Sequence, residues 1–152
     1  MAACIENIRI IPLDPQGAAG HRTLILAFNN VSTTTTCSMS GYPGVDLIDS
    51  NGNTVVHLAQ TLRGMAGGLS SGLTVPQTVV LPPGGSASAL VEATSLPPNG
   101  YTSCGEYNLL VTPPGMQPGP HISLTPGPET MPGCEAQVHP VVAGMGGGLG
   151  NH

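Results

Sequence analysis

Gly68-Leu69-Ser70-Ser71-Gly72 has the G-x-S-x-G pattern that can hold a nucleophilic serine on a sharp turn between a strand and a helix. Its neighbours deny it that setting: Gly67 and Gly68 stand where a strand would have to end, and Pro76 stands where the helix would have to run. The stretch reads as a Ser/Gly loop, no catalytic residue is assigned, and the chain is not expected to be an enzyme. The histidines His21, His57, His121, His139 and His152 lack HExxH or any other ligand spacing, so a metal site would have to be assembled by the fold. Met39, Met65, Met116 and Met131 fall near expected loops, where thioethers converging with an imidazole would suit Cu(I), although gap-filling is the commoner use of Met. Asp46 and Asp49 are the one close carboxylate pair in the sequence, and on a strand they point to opposite faces, which argues against a glycosidase-like dyad. No metal or other cofactor is expected.

Four cysteines without CxxC or CxxH spacing, in a small chain rich in Gly and Pro, argue for two disulfides rather than zinc. The expected pairs are Cys4–Cys37 and Cys104–Cys134. Each intervening segment reads as strand, Pro/Gly-rich turn, strand, so its ends return to one place; the turns centre near Gly20 and Gly119. Such bonds imply an oxidising compartment, extracellular or in the cell envelope. Ala2-Ala3-Cys4 also has the form of a lipoprotein signal's end, which would acylate Cys4 in the precursor and leave an odd number of thiols. The start has no basic or apolar leader segment, and no apolar run is long enough to span a membrane.

These residues need a scaffold, and the composition limits its kind. Val, Leu, Ile and Phe make up about 23% of the 152 residues, enough for a core, while aromatics are only 3% and Phe28 is the single Phe, so the core is aliphatic. Charged residues are 7%, with no Lys and only Arg9, Arg22 and Arg63, at a net charge of −5. That excludes a phosphate-tracking nucleic-acid surface and a polybasic membrane contact. No segment repeats apolar residues at helical spacing free of Pro and Gly. Short Val/Ile/Thr-rich runs recur instead between turn signals. The expectation is an all-β, immunoglobulin-like antiparallel sandwich of eight or nine strands. Residues 1–142 form the single domain and 143–152 a flexible Gly-rich tail. Ile8 and Ile10, and Leu24, Leu26 and Phe28, should face the core. Asn51-Gly52 predicts a type I′ hairpin turn pairing Ile48 with Val55, Leu47 with Val56 and Asp46 with His57. Pro82-Pro83-Gly84-Gly85 predicts a second turn.

Several features taken together resemble domain-of-unknown-function family 4232. They are Cys4, the segment GHRTLILAFNN at 20–30, Cys37 followed by GYPGVDLID, and Val79-Val80-Leu81 running into Pro83-Gly84-Gly85-Ser86-Ala87. Cys104 before LLVTP and Cys134 before VHPVV complete the pattern. The resemblance implies an immunoglobulin-like β-sandwich of the kind found in exported proteins and lipoproteins of actinobacteria, with no activity attached.

The functional expectation is a non-catalytic, exported envelope module that binds an unidentified protein or envelope ligand through loops 64–72 and 116–131. Met65, Leu69, Met116 and Met131 would supply exposed, adaptable apolar contact and Arg63 a polar anchor. The competing reading is an exported metal-handling (copper or zinc) or hydrolytic protein using loop His, Met or Ser.

Overall fold

The computed structural model describes residues 2–4, 6–100, 102–115, 123–124 and 129–151. Its strands are β1 (Ile8–Ala18), β2 (His21–Asn30), β3 (Cys37–Ser40), β4 (Gly44–Ile48), β5 (Thr54–His57), β6 (Ala59–Gln60), β7 (Thr78–Leu81), β8 (Ser86–Thr94), β9 (Asn108–Thr112), β10 (Ser123–Leu124), β11 (Cys134–Val138) and β12 (Val142–Ala143). The larger sheet has the order β1-β2-β8-β11-β6, with β12 also on β8; the second is β10-β9-β4-β5; β3 and β7 form a ribbon. Among the described residues every pairing between these strands is antiparallel except β6 on β11, and a single parallel bridge joins Ala3 to Ser38. The all-β sandwich stands, divided into more strands than expected.

The alternation read from the sequence sets the core. Leu24, Leu26 and Phe28 of β2, Ala87, Ala89 and Val91 of β8, Val45 and Leu47 of β4, and Leu109 and Val111 of β9 meet between the sheets, with Ile8 and Ile10 packed on their margin. Asn30, 1% exposed, ties the strand ends together by donating its amide to the carbonyls of Leu81 and Thr35. β1 runs on through Pro12 and Pro15 to Ala18. An edge strand tolerates proline, and a bulge between Leu13 and Gln16, with Asp14 at φ +49°, absorbs the irregularity.

Two turns exchange roles. The two-residue positive-φ turn lies at Ala19-Gly20 (φ +52° and +81°), where Ala18 pairs with His21. At Asn51-Gly52 only Gly52 has positive φ, +82°. There the amide of Gly52 donates to the carbonyl of Asp49 at 3.0 Å, and the Asp49 carboxylate accepts from the amides of Asn51 and Asn53 at 2.9 Å each. This Asx-type cap favours a three-residue loop, so Ile48 pairs with Thr54 and not with Val55. A bulge at Val55 then restores the expected pairs Leu47 with Val56 and Asp46 with His57. The Pro82 to Gly85 turn forms as expected, closed by Gly85 N–H to Pro82 O at 2.7 Å.

Both disulfides pair as expected, Cys4–Cys37 and Cys104–Cys134. The Cys4 sulfur is engaged in a disulfide. The expected turn near Gly119 lies outside the described residues. The Gly-rich tail is not free. Gly68 N–H donates to Gly148 O at 3.0 Å, Gly150 N–H to Ala66 O at 2.8 Å, and Asn151 Nδ2 to Gly68 O at 3.1 Å. Glycine permits this: a Cβ at Gly148 would stand 2.1 Å from Gly68 O. Backbone pairing does the work that apolar side chains would otherwise have to do. Tail and loop together cover the outer face of the larger sheet, so β8 is buried on both sides.

Candidate functional site: a histidine cleft over a buried carboxylate

On β8 the inward residues are small and aliphatic, and the alternate positions, Ser88, Leu90 and Glu92, face the covering loop and tail. Glu92 is 0% exposed, and its cross-strand neighbours are Thr23 on β2 and Gln137 on β11. No arginine reaches it. Its Oε1 accepts from the amide of Ala66 at 3.1 Å and from His21 Nε2 at 2.8 Å, while Oε2 meets His139 Nε2 in a shorter contact. Burial pushes the Glu92 carboxyl upward, but the hydrogen bonds from His139, Ala66 and His21, with the charge of His139, outweigh that and hold it below its ordinary value. A Cβ on Gly64 would lie 2.5 Å from Oε2, so a glycine is required for the loop to close over the carboxylate.

His139, also 0% exposed, follows β11 and has both ring nitrogens engaged. Its Nδ1 is 3.0 Å from Thr61 O and 3.0 Å from Thr61 Oγ1, whose own hydrogen goes to Gln137 Oε1 at 2.6 Å. A carbonyl only accepts, so Nδ1 carries a proton. One further proton lies between Nε2 and Glu92 Oε2, on two side chains that are both 0% exposed.

His21 is placed differently. It opens β2 directly after the Ala19-Gly20 turn, and its side chain is 22% exposed. Since the carboxylate only accepts, Nε2 of His21 donates and the neutral ring keeps its lone pair on Nδ1. The ring lines a cleft of about 320 Å3 shared with the turn, Met65, Leu96, Glu135 and Gln137. Glu135 reaches it from the β11 bulge, at φ +52°. The nearest hydroxyls are occupied: Thr94 Oγ1 and Ser95 Oγ both donate to Gly20 O at 3.1 Å.

The residues expected to bind divide sharply. Met65 is 74% exposed on the cleft. Leu69 and Met131, expected to be exposed, are each 1% exposed: Leu69 is tucked beneath its own loop, and Met131 belongs to the core beside Tyr107. Arg63 is an internal clamp, donating Nε to Leu69 O at 3.1 Å and Nη2 to Ser70 O at 3.2 Å and Leu73 O at 2.5 Å. Met116 and His121 lie outside the described residues. Ser70 sits in a loop with no helix behind it. His57 is paired on the exposed hairpin with Asp46, Nδ1 to Oδ1 at 2.6 Å. Sequence reasoning missed Glu92, whose signal was a lone carboxylate inside the strand SASALVEAT. Among the described residues, no three of His, Cys, Asp and Glu are grouped to cage a metal ion.

The molecule is thus a β-sandwich stapled by two disulfides, with a histidine-lined cleft at one end of its larger sheet. The chain belongs to the DUF4232 family, a domain of unknown function whose model matches residues 8–142. No curated protein and no solved structure matches it. Two disulfides fit an oxidising, exported location, and among the described residues no helix is long and apolar enough to cross a membrane.

Proposed function

We propose that this chain is a non-catalytic, exported cell-envelope module that binds its partner at the cleft beside His21. One observation carries the reading: Met65 and Leu96, 74% and 63% exposed, line a cleft whose floor is anchored to a buried carboxylate. Adaptable apolar side chains over a rigid polar floor are the composition of a binding site. The loop that bears Met65 is held by Arg63 and by the tail, so the cleft is largely preformed and little ordering entropy opposes association. The non-catalytic part rests on the hydroxyls. Thr94 and Ser95 are spent on Gly20 O, and the ring nitrogens of His139 are both occupied.

A photo-cross-linking residue placed at Leu96, with a matched one at exposed Val80 on β7, tests the site in cell-envelope extract. Adducts at position 96 and not at 80 are expected, and equal labelling would refute the cleft as the binding surface. Hydrolysis of p-nitrophenyl acetate should equal the buffer blank; turnover lost in Ser70→Ala would overturn the non-catalytic reading.

A further inference from the structure

Resting on that reading of the cleft, we propose that besides its partner it holds a soft transition-metal cation, Cu(I), between His21 Nδ1 and the Met65 thioether. The first ground is the tautomer. A metal-binding histidine characteristically donates its other N–H to a carboxylate, which fixes the ring and raises the basicity of the ligating nitrogen. His21 has this arrangement: Nε2 lies 2.8 Å from the fully buried Glu92, and Nδ1 is the ring nitrogen with no protein partner among the described residues. The supporting shell is thus built and rigid before any ligand arrives.

The second ground is the donor set. Thioether sulfur and imidazole nitrogen select Cu(I) over hard cations, and Met65 brings its sulfur to the same cleft on a side chain free to move. The hard donors that would favour Mg2+ or Ca2+ are not assembled, since no three of His, Cys, Asp and Glu are grouped among the described residues. Glu135 lines the cleft with no ion pair among the described residues, and the chain carries a net charge of −5, so the surroundings attract a cation. His57 makes a useful contrast: its carboxylate partner is part-exposed Asp46, its ring is 80% exposed, and no sulfur lines it.

The test is an anaerobic titration of the purified chain with Cu(I), kept reduced by ascorbate so that the disulfides stay closed, against a chromophoric Cu(I) chelator. One equivalent should be taken up. Met65→Leu, on an exposed side chain that the fold does not need, should weaken binding at least tenfold. Glu92→Gln, which keeps an acceptor for His21 but removes the charge behind the ring, should weaken it by about 10–100-fold. His21→Ala should abolish it, His57→Ala should change nothing, and the nitrogen NMR signal that moves on binding should be Nδ1 of His21. Failure to compete with the chelator, or uptake that survives both Met65→Leu and His21→Ala, would overturn the assignment. Adducts at position 96 without Cu(I) uptake would remove the metal and leave the binding module standing.

Discussion

Replacing Glu92 by Leu and by Gln separates the two things this side chain does. Leu fills a similar volume but leaves the Ala66 amide and His139 Nε2 facing hydrocarbon, while the partly exposed His21 can turn to water. Two orphaned buried groups at roughly 1–3 kcal/mol each give a loss of about 2–6 kcal/mol. Native stability is on the order of 5–15 kcal/mol, so Glu92→Leu should leave a marginal protein. Gln behaves differently. Its carbonyl can accept from both Ala66 and His21, and its amide can donate to His139 Nε2 once the ring keeps its single proton on Nδ1 against Thr61 O. Every hydrogen bond is then made between neutral groups, and the loss should stay below about 1.5 kcal/mol. Urea unfolding followed by backbone circular dichroism reads both. With m about 2 kcal/mol/M, the Leu midpoint should fall by roughly 1–3 M and the Gln midpoint by less than about 0.7 M. A Leu variant within 0.5 M of the parent, or a Gln variant as weak as Leu, would refute the donor and acceptor count at this site.

Because the folded state holds the Glu92 carboxyl below its ordinary value, its contribution is present above the unfolded carboxylate range and is lost as pH falls through the folded value; acid titration of the urea midpoint should show a steeper fall for the parent than for Glu92→Gln. Ending the chain at residue 143 removes three hydrogen bonds to residues 66–68 and three to Ser86 and Ser88, should cost at least about 3 kcal/mol, and should strip hydrogen-exchange protection from the Gly68 amide while sparing Leu26. Converting Cys104 and Cys134 together to Ser, which opens a loop of sequence separation 30, should lower stability by roughly 3–4 kcal/mol, measured by thermal unfolding without reductant.

Periodicity carried the core legibly, since Leu24, Leu26 and Phe28 can share a face only in a strand. The disulfide pairs followed from the return path of the chain. The hairpin shows how a right answer can come by a wrong route: Asp46 meets His57 because the longer Asp49-capped loop and the Val55 bulge offset one another. The cleft was less readable. Its parts come from residues 18–21, Met65, Thr94, Leu96, Glu135 and Gln137, brought together by the β2-β8-β11 pairing and the loop that carries Met65. Leu69 and Met131 were misplaced for different reasons: the loop that bears Leu69 is held down by a Gly-rich tail pairing through its backbone, whereas Met131 bridges to Tyr107 and so enters the core between the sheets.

The three arginines have a further consequence. With no lysine in the chain, a trypsin-like protease has only the bonds after Arg9, Arg22 and Arg63 to attack. The first two lie within β1 and β2, with the Arg22 guanidinium also held by Glu106 and by Thr130 O, and the third anchors the clamp that shapes its own loop. None can enter a protease active site as an extended segment without prior local unfolding. Against a trypsin-like protease such a molecule should persist long after lysine-rich proteins have been cut.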